Sequence, residues 1–495
     1  MVSKPSLSSA PHHPLDNIED VEEFYAAIDR SHLHKSLSAE RPYTYWTIEL
    51  YDQKNGIRGG GGLGILAADT RRIAERQFVP FTLITPFYPS EQHQTYQNFQ
   101  NHTTHRPVSY LGYGFELIDT VNIRVNQQLT TLEVIEKNLG STRILCITEP
   151  NFGELYTGES GSDHRLYQEV ALGFGGYQAL KLVGLKPAIM QLNEVATFFA
   201  ALARLDELSS NGMDFYEAVV YTRKHTLYTN HTLVQAAEAE FSYQQFENYV
   251  FPNLRSPAVK KWLSDKFDHG RIRLSTVAIE IAELRSGVSK LHARVANYRD
   301  IAGNRVKFKP ITNGIDIPTW TEPEILRHLE EQGIIDKFYL PSPNYKDQLS
   351  NLTAQQIRNL KLSARAKLNQ VLSRRVNQYG IHPTITDDQA LIFDFKRRFV
   401  EYKRPWLAFS DPERLANLLH QYNIYYFLSG RVHEGDQAMN SRLQSLLQIV
   451  DQSPILKARV HYLPDYDEEL GFALSVGSNA SINTPVVGLE ACGTS

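Results

Sequence analysis

The chain has 495 residues, 42% of them apolar and 21% charged, with 51 basic against 55 acidic side chains and a net charge of −4. That composition excludes a disordered chain, and the charge balance excludes a broad basic surface for nucleic acid or an anionic membrane. Two cysteines, Cys146 and Cys492, cannot build a disulfide framework or a thiolate zinc site, and they suit a reducing, cytoplasmic setting.

Residues 1–42 read as a polar lead-in with a surface helix over Asn17–Asp29; they hold no apolar signal core, and no later stretch reaches membrane-spanning length. From Tyr43 the pattern predicts strands at Phe81–Thr85 and Arg143–Thr148 and a helix over Arg165–Leu182. A strand at Ala188–Leu192, a helix at Ala196–Leu205 and a strand pair around a basic kink in Val219–Tyr228 follow. A long amphipathic stretch, Leu274–Ala296, leads to a polar link, and the domain boundary is set between residues 298 and 299. Beyond it Leu391–Phe395, Ile424–Leu428, Val460–Leu463 and Ala480–Asn483 read as strands between helical segments. Alternating strand and helix means parallel sheets covered by helices. The fold class is therefore α/β, with two Rossmann-like, doubly wound domains, 43–298 and 299–495, facing a cleft at the carboxyl ends of their strands.

Several groups of residues suit chemistry at such a cleft. Gly59 to Gly62, with Gly64, form a glycine loop that runs into a helix near Ile65, where backbone N–H groups can meet an anion or a sugar hydroxyl; a plain flexible turn is the other reading. Five cations in Lys396–Arg404 follow a predicted strand and suit phosphate, or else a solvated helix face. Asn230 and His231 after one strand, and Asn193 and Glu194 after another, offer hydroxyl recognition, proton transfer or simple capping. Asn313-Gly314 is a turn signal, and the small residues around Glu490 suit an anion-cradling turn or a frayed end. His12-His13, His102 and His105 lie in polar, turn-like sequence without a metal-binding pattern, so no metal is predicted.

Taken in order, GGGGLGILAAD (59–69), LNE (192–194), YTNHT (228–232), SGVSKLH (286–292), ITNGI (311–315), KRRFVEYKR (396–404), SGRVHEGD (429–436) and LEACGTS (489–495) resemble the α-glucan phosphorylase family, whose members act on glycogen, starch or maltodextrin. The resemblance spans Gly59 to Ser495. It implies a GT-B glycosyltransferase fold and pyridoxal 5′-phosphate as cofactor. The implied reaction is phosphorolysis of α-1,4-glucan ends, with a glucan or maltooligosaccharide and inorganic phosphate as substrates and glucose 1-phosphate as product. Two copies could pair as a homodimer. Carried over residue by residue, Gly61, Gly62 and Leu63 would lie beside the sugar and phosphates. Asn230, His231, Asn313 and Glu490 would hold the terminal glucose. Arg397, Arg398 and Lys403 would face the phosphates, and Gly493 and Thr494 would bind the cofactor phosphate.

The chain departs from the family's pattern in places. Glu194-Val195-Ala196 lacks an imidazole, Ser286 stands for an Asn, Arg397 for a Lys and Cys492 for a Ser. Ser495 falls just before the lysine that the resemblance expects to carry the cofactor. An incomplete second domain and a chain inactive by itself are the expectations that follow. A non-catalytic glucan-binding relic or partner, and a sugar-nucleotide glucosyltransferase of the glycogen or starch synthase type, are the alternatives. The second would want a lysine just before the glycines, where this chain has Arg58 and Gly59.

Overall fold

A computed structural model describes residues 36–57, 59, 61–155, 161–231, 240–296, 298, 305–336 and 339–486. The Asn17–Asp29 segment, Glu490, Cys492, Gly493 and Thr494 lie outside the described residues. In chain order the strands of the first half are β1 (Tyr43–Thr47), β2 (Phe81–Pro86), β3 (Ser90–Gln97), β4 (Gln100–Pro107), β5 (Glu116–Val125), β6 (Gln128–Leu139) and β7 (Thr142–Thr148). They are followed by β8 (Ile189–Asn193), β9 (Thr226–Asn230), β10 (Glu240–Ser242), β11 (Arg271–Arg273), β12 (Leu284–Gly287) and β13 (Lys309–Pro310). The second half contributes β14 (Leu391–Lys396), β15 (Ile424–Ser429), β16 (Val460–Leu463) and β17 (Ala480–Ser481).

Nine strands form the first sheet, in the order β13-β12-β9-β8-β1-β2-β7-β6-β5. It is parallel from β13 to β7 and antiparallel through β6 and β5. The second sheet, β16-β15-β14-β17, is wholly parallel. Successive residues of the central strands serve opposite faces. Trp46, Ile84 and Leu145 pack with Phe198 and Phe199, whereas Tyr45, Leu83 and Ile144 pack with Ala67 and Ala68 of helix 62–76. Both faces being buried explains why these strands carry large apolar side chains at successive positions, as at Tyr45-Trp46, Leu83-Ile84 and Ile144-Leu145. The second sheet divides likewise, Tyr426 and Leu428 facing helix 437–452 and Phe427 facing helices 354–372 and 468–477.

Side-chain amides cover the open strands. Asn253 accepts from the Arg124 N–H and donates to its carbonyl, both at 2.8 Å, along β5. Gln378 does the same along β16, at 3.0 Å to the Val460 carbonyl and 2.7 Å from the Tyr462 N–H. These contacts satisfy edge groups that would otherwise invite further strands.

The predicted strands in Phe81–Thr85, Arg143–Thr148, Ala188–Leu192, Leu391–Phe395, Ile424–Leu428 and Val460–Leu463 are present, and Arg165–Leu182 is helical throughout, with a π turn at Ala171–Gly175. Three predictions are corrected. Val219–Tyr228 is not a strand pair: helix 215–224, capped by the Asp214 carboxylate on the N–H groups of Tyr216 and Glu217, precedes β9. The Leu274–Ala296 stretch is helix 274–281, β12 and helix 290–295, because residues 284–287 pair with β9. His102 and His105 lie on β4 rather than in a turn. The first sheet also continues past residue 298, through β13.

The two sheets' units touch through the β3–β4 hairpin. Tyr96 enters the core of the second unit, edge-on to Tyr462 at 5.5 Å. The Gln94 carboxamide donates to the Val432 carbonyl at 2.5 Å and accepts from its N–H at 3.2 Å. A second link is buried. Arg72 on helix 62–76 meets Asp52 at 3.0 Å, Asp69 at 3.1 Å and Glu468 at 2.9 Å, the last at the start of helix 468–477. Asp69 also accepts from the Asp316 N–H and the Trp320 indole, and burial pushes its carboxyl up to about 6.

Candidate functional site

The carboxyl ends of β12, β9, β8 and β1 lie side by side, so residues far apart in sequence share one rim. At its centre His231 follows β9, and its Nε2 lies 2.5 Å from Asn193 Oδ1 at the end of β8. A carboxamide oxygen only accepts, so this nitrogen carries the proton. The Asn193 amide then reaches Thr47 Oγ1 at 3.5 Å, and Thr47 donates to the Glu49 carbonyl at 2.7 Å after β1. Desolvation, and the nearby His292, push the His231 imidazole down to about 3, so it is neutral. With Nε2–H committed, Nδ1 is the ring's acceptor, suited to a hydroxyl proton.

Glu194 stands beside it with φ +76°, a conformation costly for a residue with a Cβ. Its carboxylate accepts from the His231 N–H at 2.6 Å and the Val195 N–H at 3.2 Å, which pins the β9 exit. Asn230 is 2% exposed, and its Oδ1 lies 2.8 Å from His292 Nε2. Its amide nitrogen lies 3.3 Å from the Tyr228 hydroxyl and 3.4 Å from that of Tyr298. Asn313, beyond β13, donates its backbone N–H to the Val288 carbonyl at 3.2 Å and so sits at the same end of the sheet.

The glycine loop enters from β1's side. Gly61 is the N-cap of helix 62–76 in extended conformation, and a methyl group there would lie 3.5 Å from Arg398 Nε and 3.7 Å from Glu49 Oε1. Gly62 faces open space, whereas a side chain at Gly64 would come within 2.8 Å of the Tyr51 backbone nitrogen. Glycine at 64 therefore lets the loop lie flat on the segment after β1, whereas a methyl group at 61 would meet the guanidinium only at ordinary contact distance. Arg398 comes from the second unit, just after β14, so the two units meet where a helix N-terminus and a cation adjoin.

The cation run divides by task. Lys396 is held by Asp394 at 2.9 and 3.1 Å and by Ser481 at 2.6 Å. Arg404, at φ +47°, donates to the carbonyls of Thr484 at 2.7 Å and Pro485 at 2.9 Å. Both are occupied with structure. Arg397 anchors through its backbone, since its carbonyl oxygen would be 1.8 Å from a methyl group at Gly430, and Lys403 lies over the Tyr402 ring at 5.7 Å. Among the described residues no group of three or more His, Cys, Asp or Glu is arranged to hold a metal ion, and no helix is long and apolar enough to cross a membrane.

No family model matches the chain. It is 24% identical over 490 residues to a maltodextrin phosphorylase of Thermococcus litoralis, an alignment covering 92% of this chain and 59% of that relative. It is 27% identical over 497 residues to a glycogen phosphorylase of Mycobacterium tuberculosis, covering 88% and 56%. Over most of its length the chain is thus similar to α-glucan phosphorylases. It spans little more than half the length of these two phosphorylases. An uncharacterized protein of Methanocaldococcus jannaschii, 23% identical over 472 residues, is matched over 82% of its length.

Of the residues singled out from the sequence, Gly61 and Arg398 adjoin, and Asn230, His231 and Asn313 share the strand-end rim. Asn230 lies beneath that rim with its amide engaged by other side chains. Glu490, Gly493 and Thr494 fall outside the described residues. Sequence reasoning missed Thr47 and Glu49, which link β1 to Asn193 and to the glycine loop, and it gave His292 no role of its own. The run SGVSKLH (286–292), which ends on His292, was the available signal.

Proposed function

We propose that the chain is the glucan- and phosphate-binding body of an α-1,4-glucan phosphorylase of GT-B fold. The observation that carries this reading is the Arg398 guanidinium against the Gly61 loop, beside a floor of neutral amide and imidazole groups. A sugar end needs hydroxyl partners without net charge, and a phosphate needs cations and backbone N–H groups. Here the two kinds of surface adjoin. In the proposed reaction the glycosidic C1–O4 bond breaks, a bond forms between C1 and a phosphate oxygen, and the phosphate's proton passes to O4, giving glucose 1-phosphate.

The protein's part in that exchange is binding and electrostatics. His231 Nδ1 accepts from a sugar hydroxyl, with Asn313 and Glu490 as further partners of the terminal glucose and Asn230 as support. Gly61, Gly62 and Leu63 form the loop beside the sugar and the phosphate. Arg397, Arg398 and Lys403 offset the charge of phosphate in a site where repulsion is weakly screened. The same cations suit the phosphate of pyridoxal 5′-phosphate, whose chemistry when bound is proton exchange with the substrate phosphate; the turn assigned to it, Gly493 and Thr494, lies outside the described residues.

Calorimetric titration with maltoheptaose and, separately, with inorganic phosphate tests the proposal. Saturable binding of both is the expected result. Failure to bind maltoheptaose at millimolar concentration overturns the glucan reading, and phosphate-dependent release of glucose 1-phosphate would establish turnover.

A further inference from the structure

Resting on the glucan reading of the rim, we propose that His292 is a positioning residue, whose Nε2–H locks the Asn230 carboxamide and thereby sets how the adjoining His231 imidazole is presented to the sugar.

Helix 290–295 begins at Ser289, whose hydroxyl accepts from the His292 N–H at 3.0 Å. That helix is pressed onto the end of β12, since a methyl group at Gly287 would lie 3.1 Å from the Ala293 backbone. Gly287 is also the register partner of Asn230. The glycine therefore brings the helix, and His292 with it, to the end of β9. There the ring is 1% exposed and its Nε2 is 2.8 Å from Asn230 Oδ1.

The acceptor identifies the tautomer. Asn230 Oδ1 cannot donate, so the proton is on Nε2 and Nδ1 is bare. Nδ1 is buried with no hydrogen-bond partner among the described residues. A side chain chosen only for packing would not leave a nitrogen in that state, because an apolar residue of similar size would fill the space without the penalty. What the imidazole provides is one directed N–H. With Oδ1 engaged, the Asn230 amide nitrogen is turned toward Tyr228 and Tyr298. The next peptide is clamped by Glu194 on the His231 N–H and by Asn193 on its ring. The Asn230 side chain is thus held at both ends, and the His292 N–H on Oδ1 fixes which end faces the tyrosines. Burial holds His292 neutral, its value pushed down to about 4, so it acts on Asn230 through one N–H and places no charge beside the neutral His231 ring.

The test compares His292→Gln, which keeps a donor near the Nε2 position, with His292→Leu, which keeps bulk alone. In the full chain with ¹⁵N-labelled histidine, His292 should show the neutral Nε2–H tautomer in the wild type, a result that needs no variant to fold; finding the Nδ1–H tautomer overturns the proposal. His231 ring signals should shift in the Leu variant and return toward wild type in the Gln variant. Maltoheptaose affinity should fall about tenfold for Leu and stay within about threefold for Gln. Unchanged His231 signals and affinity in a folded Leu variant overturn the assignment, as does a folded Gln variant as impaired as Leu. If wild-type protein binds no maltoheptaose, the glucan reading fails, while the ring signals still decide the positioning role.

Discussion

The floor at the ends of β8, β9 and β12 is made of neutral dipoles withdrawn from water, with Asn193, Asn230 and His292 each at most 2% exposed. The wall after β14 is made of cations that keep contact with solvent: Arg398 is exposed, and Arg397 and Lys403 are partly so. The difference follows from what each can afford to bury. A neutral amide or imidazole can go below the surface if its hydrogen bonds are made, whereas a cation loses far more hydration on burial, and contact with solvent keeps that cost down. Lys396 shows the converse: paired with the fully buried Asp394, it is drawn into the second unit and holds β17 through Ser481.

The largest effect is expected where the cation wall gets its shape. Gly430 has φ +155°, and a methyl group there would collide with the Arg397 carbonyl. Gly430→Ala should cost at least about 3 kcal/mol in urea unfolding, and a loss below 1 kcal/mol would mean that the wall is held some other way. Next, Arg398→Ala should weaken inorganic phosphate binding by about 1.5–3 kcal/mol and leave maltoheptaose binding unchanged. Equal loss of both ligands in calorimetry would erase the distinction between wall and floor.

Acid sensitivity sharpens the comparison in another way. Burial lowers His231 to about 3 and both His292 and His461 to about 4; the last lies in the second unit, 3.1 Å from the Asn377 amide. Each folded value is below that of an exposed imidazole, so the unfolded chain takes up protons first. Their stabilisation is full above about pH 6.5 and is lost as pH falls toward 4, at about 1.4 kcal/mol per pH unit for each ring. His461→Gln should remove about one proton from the slope of stability against pH over that range, and an unchanged slope would show that His461 titrates normally. The smallest effect is expected at the hairpin. Gln94→Ala should cost about 1 kcal/mol, seen as faster amide exchange over residues 90–107 with the cores unaffected.

How much of this was legible in sequence depended on the range of the interaction. Phe81–Thr85 and Ile424–Leu428 could be read because central parallel strands bury both faces and so carry apolar and β-branched side chains at successive positions. Val219-Val220 misled because their β-branched side chains favour strands, while the Asp214 cap upstream and packing on the sheet made a helix. β12 was hidden inside an amphipathic stretch because its pairing with β9 is a contact across more than fifty residues. At the rim, His231 and Arg398 could be picked out by residue type and order. The Asn193–Thr47 link joins residues 146 apart and His292–Asn230 residues 62 apart, and neither leaves a local pattern.

By itself the sequence determined the α/β class, the order of the central strands along the chain, the glycine loop and the position of the cation run, since each depends on neighbouring residues or on burial period. Only the tertiary structure decided which cation adjoins the loop and which are tied to carbonyls and to Asp394, and which histidine meets Asn193 and which one meets Asn230. Those outcomes turn on hydrogen-bond partners delivered by different strands, and a partner's distance in space is set by the sheet order, which the chain's local chemistry does not encode.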